Sequence, residues 1–238
     1  MSAVSGSQAH VGYVSPRRPG KTPGAPGAGG TGRYSDFVCH GGPIINTPQV
    51  HILFVGDWSS TASQNRLTHL TQFVRDLLSS RYMNILPQYG CGASGMVAST
   101  ATVSTPSNNL SSADIHNIIQ AAINNGQVRE PTDQATCVLL YLDDATAVND
   151  TDVGIEMCEA TGNTSFGYHY HFVTRAGNTY PFGVVPGLTD ACLRNSCSSD
   201  FGCPLHLSTT QEQRQTQVTS HELADIHQSP DRFKRGLV

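Results

Sequence analysis

The sequence predicts an α/β chain of mixed α+β character: a central mixed sheet with packed helices, behind a disordered N-terminal tail. Three observations lead there. Residues 50–55 and 135–142 form continuous apolar runs of strand length, and two apolar series recur at spacings of three and four, the mark of amphipathic helices. A pair of short β-rich segments meets at Gly177-Asn178, a hairpin signal. The 238 residues suit one domain plus a tail, and roughly 200 ordered residues bury a substantial core unaided.

Taken in order, residues 1–33 carry Pro16, Pro19, Pro23 and Pro26 among dense glycines, with almost no large apolar side chain. Such a segment buries too little surface to offset the entropy of ordering, so a disordered tail is expected over 1–33 and a single domain over 34–238. Phe37, Val38 and the turn-like Gly41-Gly42-Pro43 lead to a buried strand at 50–55, which stops at Gly56-Asp57-Trp58. Leu67, Leu70, Val74, Leu77 and Leu78 then mark the first helix. Gly90-Cys-Gly-Ala-Ser-Gly95 matches the dinucleotide pattern literally, but residues 96–106 are rich in Val, Ser and Thr and lack helical periodicity, so the segment reads as a Gly-rich loop. Ser111 with Asp114 three residues on is a capping box, and it opens a helix through Ile115, Ile118, Ile119, Ala122 and Ile123 to Gly126.

A strand at 137–142 follows, then the acidic residues Asp143, Asp144, Asp150 and Asp152, which read as a solvated turn because the ligand order of a calcium hand is missing. Residues 168–173 and 179–185 are the two arms of the hairpin. The last helix is expected from near Thr209, with Glu212 three positions on, through Val218, Leu223 and Ile226, and Pro230 ends it.

Composition excludes several function classes. No run of 18 apolar residues exists, so no helix spans a bilayer. The net charge is -4 and the only lysines are Lys21 and Lys234, which argues against nucleic acid as a partner. Low charge with abundant neutral polar residues suits an extracellular surface, although the start of the chain has no apolar signal core. Of seven cysteines at least one stays unpaired, and Cys137, inside an apolar strand, is the expected free thiol. Cys39, Cys91, Cys158, Cys192, Cys197 and Cys203 sit among Gly, Ser and Asn as loop disulfides do, with 15 connectivities open.

Two stretches carry candidate chemistry. On the last helix, Ser220-His-Glu-Leu-Ala-Asp-Ile-His227 places His221 and Asp225 four apart on one face, where an imidazole and a carboxylate can share a metal ion. Glu222 is then the candidate base, as in H-E-x-x-H enzymes, where the Glu takes a proton from metal-bound water. The strict motif is absent, because the fourth position is Asp225 and His227 lies about 240 degrees round the helix from His221. In Gly167-Tyr-His-Tyr-His-Phe172, strand alternation sends His169 and His171 to one face and the aromatic rings to the other. Together these offer a site of mixed His and carboxylate ligands: His221, Asp225, His169 and His171 for the metal and Glu222 for catalysis.

The segments Phe37-Val-Cys-His-Gly-Gly-Pro43, Gly167-Tyr-His-Tyr-His-Phe172, Asn178-Thr-Tyr-Pro-Phe-Gly-Val-Val185 and Ser220-His-Glu-Leu-Ala-Asp225, in this order, resemble the exordium or phosphate-induced protein 1 family over residues 37–230. The resemblance implies a secreted, zincin-like domain with zinc as cofactor and a peptide or cell-wall component as partner. Asp225 stands where that family usually has Glu, and His169 matches its Gly-aromatic-His segment. The family continues beyond its His-Glu helix, so the resemblance also implies a missing C-terminal piece. Two functions follow from it: a zinc-dependent hydrolase acting on peptide bonds, or a non-catalytic extracellular module at the cell wall or in growth signalling.

Overall fold

The computed structural model describes residues 45, 47–84, 92, 94–131, 135–150, 154–158, 165–196, 205 and 208–228. The tail at 1–33, the expected start of the domain at Tyr34, Pro230 and four of the seven cysteines (Cys39, Cys91, Cys197, Cys203) lie outside the described residues.

Apolar strands gather into one mixed sheet. β1 (Gln49–Val55) and β4 (Thr136–Leu142) are buried along almost their whole length, as strands covered on both faces are. β2 (Met96–Val103), β1, β4 and β8 (Thr179–Val185) run parallel, and β7 (Tyr168–Val173) closes one edge antiparallel to β8, giving the order β2-β1-β4-β8-β7. A small second sheet joins β3 (Asn109–Leu110), β5 (Ala147–Asp150) and β6 (Ile155–Glu156).

Helices cover both faces. α1 (Thr61–Ser79) and α4 (Gln211–Gln228) pack on one, where Leu70, Val74, Val218, Leu223 and Ile226 meet Ile52, Phe54, Leu139 and Tyr141. α2 (Ser112–Asn124) covers the other, setting Ile115, Ile118 and Ile119 against Leu53, Val55, Leu140 and Phe182. Alternation along β1 explains the division, since Ile52 and Phe54 face one side and Leu53 and Val55 the other. The expected capping box is present: the Ser111 hydroxyl accepts from the Asp114 N–H while the Asp114 carboxylate accepts from the Ser111 N–H.

The mixed α/β class and the hairpin bounds are as read from the sequence, and the structure adds elements between them. The glycine-rich segment runs into β2, a strand and not a helix, so it has no helix N-terminus to face a pyrophosphate. The short strands β3, β5 and β6 and the helix α3 (Asp190–Ser196) were likewise not anticipated. Cys158 and Cys192 form a disulfide that ties the loop after β6 to α3, and Cys137 is a buried free thiol in β4. Of the acids expected in a solvated turn, Asp144 is in an exposed turn, but Asp143 is buried with its carboxylate accepting from the N–H groups of Asp57 and Ala145, Asp150 ends β5, and Asp152 lies outside the described residues. Among the described residues no helix is long and apolar enough to cross a membrane.

Candidate functional site

β7 and β8 form the edge of the sheet on which α4 rests, and this packing builds the site. α4 is held at its start by Arg214, whose guanidinium is paired with Asp190 of α3 at 2.7 Å and donates to the Leu188 carbonyl. The next residue, Gln215, donates to the Pro186 carbonyl just past β8. Thr219 stands 2.8 Å from the Tyr141 hydroxyl of β4, fixing the helix over the sheet. Gly167 permits close approach at the head of β7: a Cβ there would fall 2.5 Å from Val218 Cγ1 and 2.8 Å from Glu222 Oε1. Glu222 is thereby pressed against the start of the hairpin, with its carboxylate under His169.

The His169 imidazole Nδ1 lies 3.0 Å from Glu222 Oε2 and 4.0 Å from Asp225 Oδ2. Glu222 is 1% exposed and the His169 side chain 13%, so His169 is the member of the pair nearer solvent. Burial opposes charge on His169, yet the hydrogen bond and charge of Glu222, with Asp225 behind them, outweigh it and raise its pKa. For Glu222 burial is the main influence and raises its pKa against the pull of His169 and His221. Both shifts run the same way, so the pair holds on to protons that the unfolded chain would release.

Asp225 and His221 stand at the rim, 37% and 38% exposed in their side chains. His221 Nε2 is itself buried, makes no hydrogen bond and lies 3.5 Å from Asp225 Oδ2. Two ligands of a tetrahedral zinc at about 2.0–2.1 Å are separated by about 3.3 Å, so this pair suits two corners of such an ion. The remaining corners are not filled. His169 Nδ1 is engaged by Glu222, and among the described residues no group of three or more His, Cys, Asp and Glu is placed to hold a metal.

Four of the five residues singled out in the sequence, His169, Glu222, Asp225 and His221, thus lie in one chain of contacts. His171 is on β7 too, but its ring stacks on Tyr170 at 4.6 Å. His116 of α2 feels it electrostatically: burial first, and His171 second, lower the His116 pKa. His227 is on α4, and its side chain is outside what the structure describes.

Family models, curated proteins and solved structures contain no match to this chain. These comparisons leave the resemblance to the exordium family, read from the ordered motifs, without a test. Sequence reasoning passed over Gly167 and Thr219, which seat Glu222. A glycine directly before the β7 segment was the available signal for a close approach, whereas the tie between Thr219 and Tyr141 depends on the strand order and left no trace in local pattern.

Proposed function

We propose that this protein is a secreted, exordium-like hydrolase with a zincin-like site, in which the His169–Glu222 pair moves the proton and His221 and Asp225 contribute to holding zinc. One observation carries the reading: a buried carboxylate hydrogen-bonded to a largely buried imidazole, beside a second His–carboxylate pair with its nitrogen uncommitted. Buried acid–base pairs of raised pKa suit proton transfer near neutrality, and perturbed groups of this kind gather at functional sites. When bound, zinc would polarise a carbonyl and acidify water. His169 takes the proton released by the attacking water and later returns it to the leaving amine, while Glu222 orients the imidazole and stabilises its charged form. The burial of Glu222 assigns it this supporting part, since any proton exchange with solvent runs through His169.

A second reading, a non-catalytic extracellular module, is favoured by a different observation. Two grooves among the described residues lie along β2 and α2, away from the His169–Glu222 pair. Elemental analysis and a peptide-hydrolysis screen on the purified protein separate the two. The hydrolase reading expects zinc that is lost in both His221→Ala and Asp225→Ala, and turnover that disappears in Glu222→Gln while zinc stays. Hydrolysis unchanged in Glu222→Gln would sink the assigned mechanism, and folded protein that takes up no zinc would leave the module as the better account.

A further inference from the structure

On the α2 side of the sheet, at the start of β1 and β2, a groove of about 580 Å³ opens between the two strands and the end of α2. Its size falls within the range of about 300–1,000 Å³ that small-ligand sites occupy. His51 of β1 lines it and is 4% exposed. The pairing of β1 with β2 slips here: Val50 faces Val97 but His51 faces Ser99, so Ala98 is an extra residue in β2. Such bulges re-aim side chains and concentrate beside binding sites. This one brings Ser99 Oγ to 2.6 Å from His51 Nδ1.

The hydrogen bonds fix the imidazole tautomer. Ser99 donates its single proton to the Gln127 carbonyl at 2.8 Å, so at the Ser99 oxygen His51 Nδ1 must be the donor. Burial first, and the charge of Arg129 second, lower the His51 pKa and keep the ring neutral. Nε2 is then a lone-pair acceptor, and it is buried without a hydrogen-bond partner. A buried acceptor in that state calls for a donor. Around it the groove offers the amides of Gln49 and Gln127, which both donate and accept, and the apolar surfaces of Met96 and Ile123, and its wall carries one cation, Arg129, against one acid, Glu130. Glu130, the one acid on the wall, already accepts from Thr174 and Asn178.

We infer that this groove is a binding site for a neutral, ring-shaped polyol such as a pyranose sugar, with a ligand hydroxyl donating to His51 Nε2. The ring's C–H face packs on Met96 and Ile123 and its hydroxyl rim meets the two glutamines. The site is separate from the His169–Glu222 pair, on the opposite face of the sheet, and stands whether or not that pair is catalytic. Ser99 is a poor nucleophile in this arrangement, because its proton points to a backbone carbonyl and not to a base, so the site binds and does not react.

The test is a titration of the full-length ¹⁵N-labelled protein with methyl glucopyranoside, methyl galactopyranoside and myo-inositol, read in imidazole and amide spectra. The expected result is a neutral His51 protonated at Nδ1, with saturable shifts of its Nε2 and of the Ser99 and Gln127 amides for at least one of the three. Ala98→Trp, which fills the groove from an exposed position with His51 and Ser99 in place, should abolish those shifts. Ile123→Trp blocks the opposite wall from another element, so a folding defect in one variant leaves the other decisive. A proton on Nε2, no saturable shift with any of the three, or shifts that survive a folded blocking variant would overturn the inference.

Discussion

At the scale of single residues the His169–Glu222 contact governs how stability should respond to pH. Both pKa values are raised, so at these two groups the folded state binds more protons than the unfolded chain and their contribution to stability falls as pH rises. The Glu222 share is lost from its unfolded value of about 4.5 upward, and the His169 share is fully present below about 6.5 and lost through its raised folded value. The lowered pKa values of His51 and His116 oppose this slope equally in both proteins, so urea unfolding across the window should show a steeper decline with pH in the wild type than in Glu222→Gln. An equally steep decline in the variant would show that the slope has another source. His169→Ala strands a buried carboxylate and should cost about 3–5 kcal/mol near neutral pH, less where Glu222 can protonate.

At the scale of elements, the fit of α4 on the hairpin depends on a missing side chain. Gly167→Ala drives a methyl into Val218 and Glu222 and should destabilise by about 1–3 kcal/mol. It should also shift the His169 imidazole resonance. Since Val218 Cγ1 is the nearest atom, adding Val218→Ala should recover part of that loss beyond additivity, a coupling that a double-mutant cycle reads directly. Thr219→Val leaves the buried Tyr141 hydroxyl without its partner and should cost about 1–3 kcal/mol by chemical denaturation.

Elements also show where sequence is legible and where it is not. The strands β1 and β4 are apolar but for Gln49, His51 and Thr136, α2 carries its capping box, and the hairpin turns at Gly177-Asn178 between two β-rich arms, so local pattern suffices for each. β2 is different: an edge strand of Met, Val, Ala, Ser and Thr with exposed and half-buried positions alternating has no apolar run to announce it. In the site, helical spacing gave the His221–Asp225 pair directly. It could not give the contact of Glu222 with His169, which joins residues 53 apart through the packing of α4 on β7.

At the scale of the whole molecule, one crosslink and one thiol divide the cysteine chemistry of the described residues. The bond between Cys158 and Cys192 closes a loop over 34 positions and should contribute about 3–4 kcal/mol by the loop-entropy relation. Cys192→Ser should lower the denaturation midpoint accordingly, and peptide mapping under non-reducing conditions should recover the 158–192 pair from native protein. A fully reduced pair in freshly isolated protein would place the chain in a reducing compartment and remove the secreted reading.

Cys137 lies at the centre of the sheet, and burial pushes its thiol pKa up to about 12. Only the thiolate attacks an alkylating reagent, so the native molecule is silent at this position. Modification has to wait until β4 leaves its neighbours, and a strand paired on both sides opens only in the largest fluctuations. Mass mapping of the Cys137 peptide against time therefore makes the protein its own stopwatch, reporting how often the entire sheet comes apart under conditions where the bulk of the protein stays native.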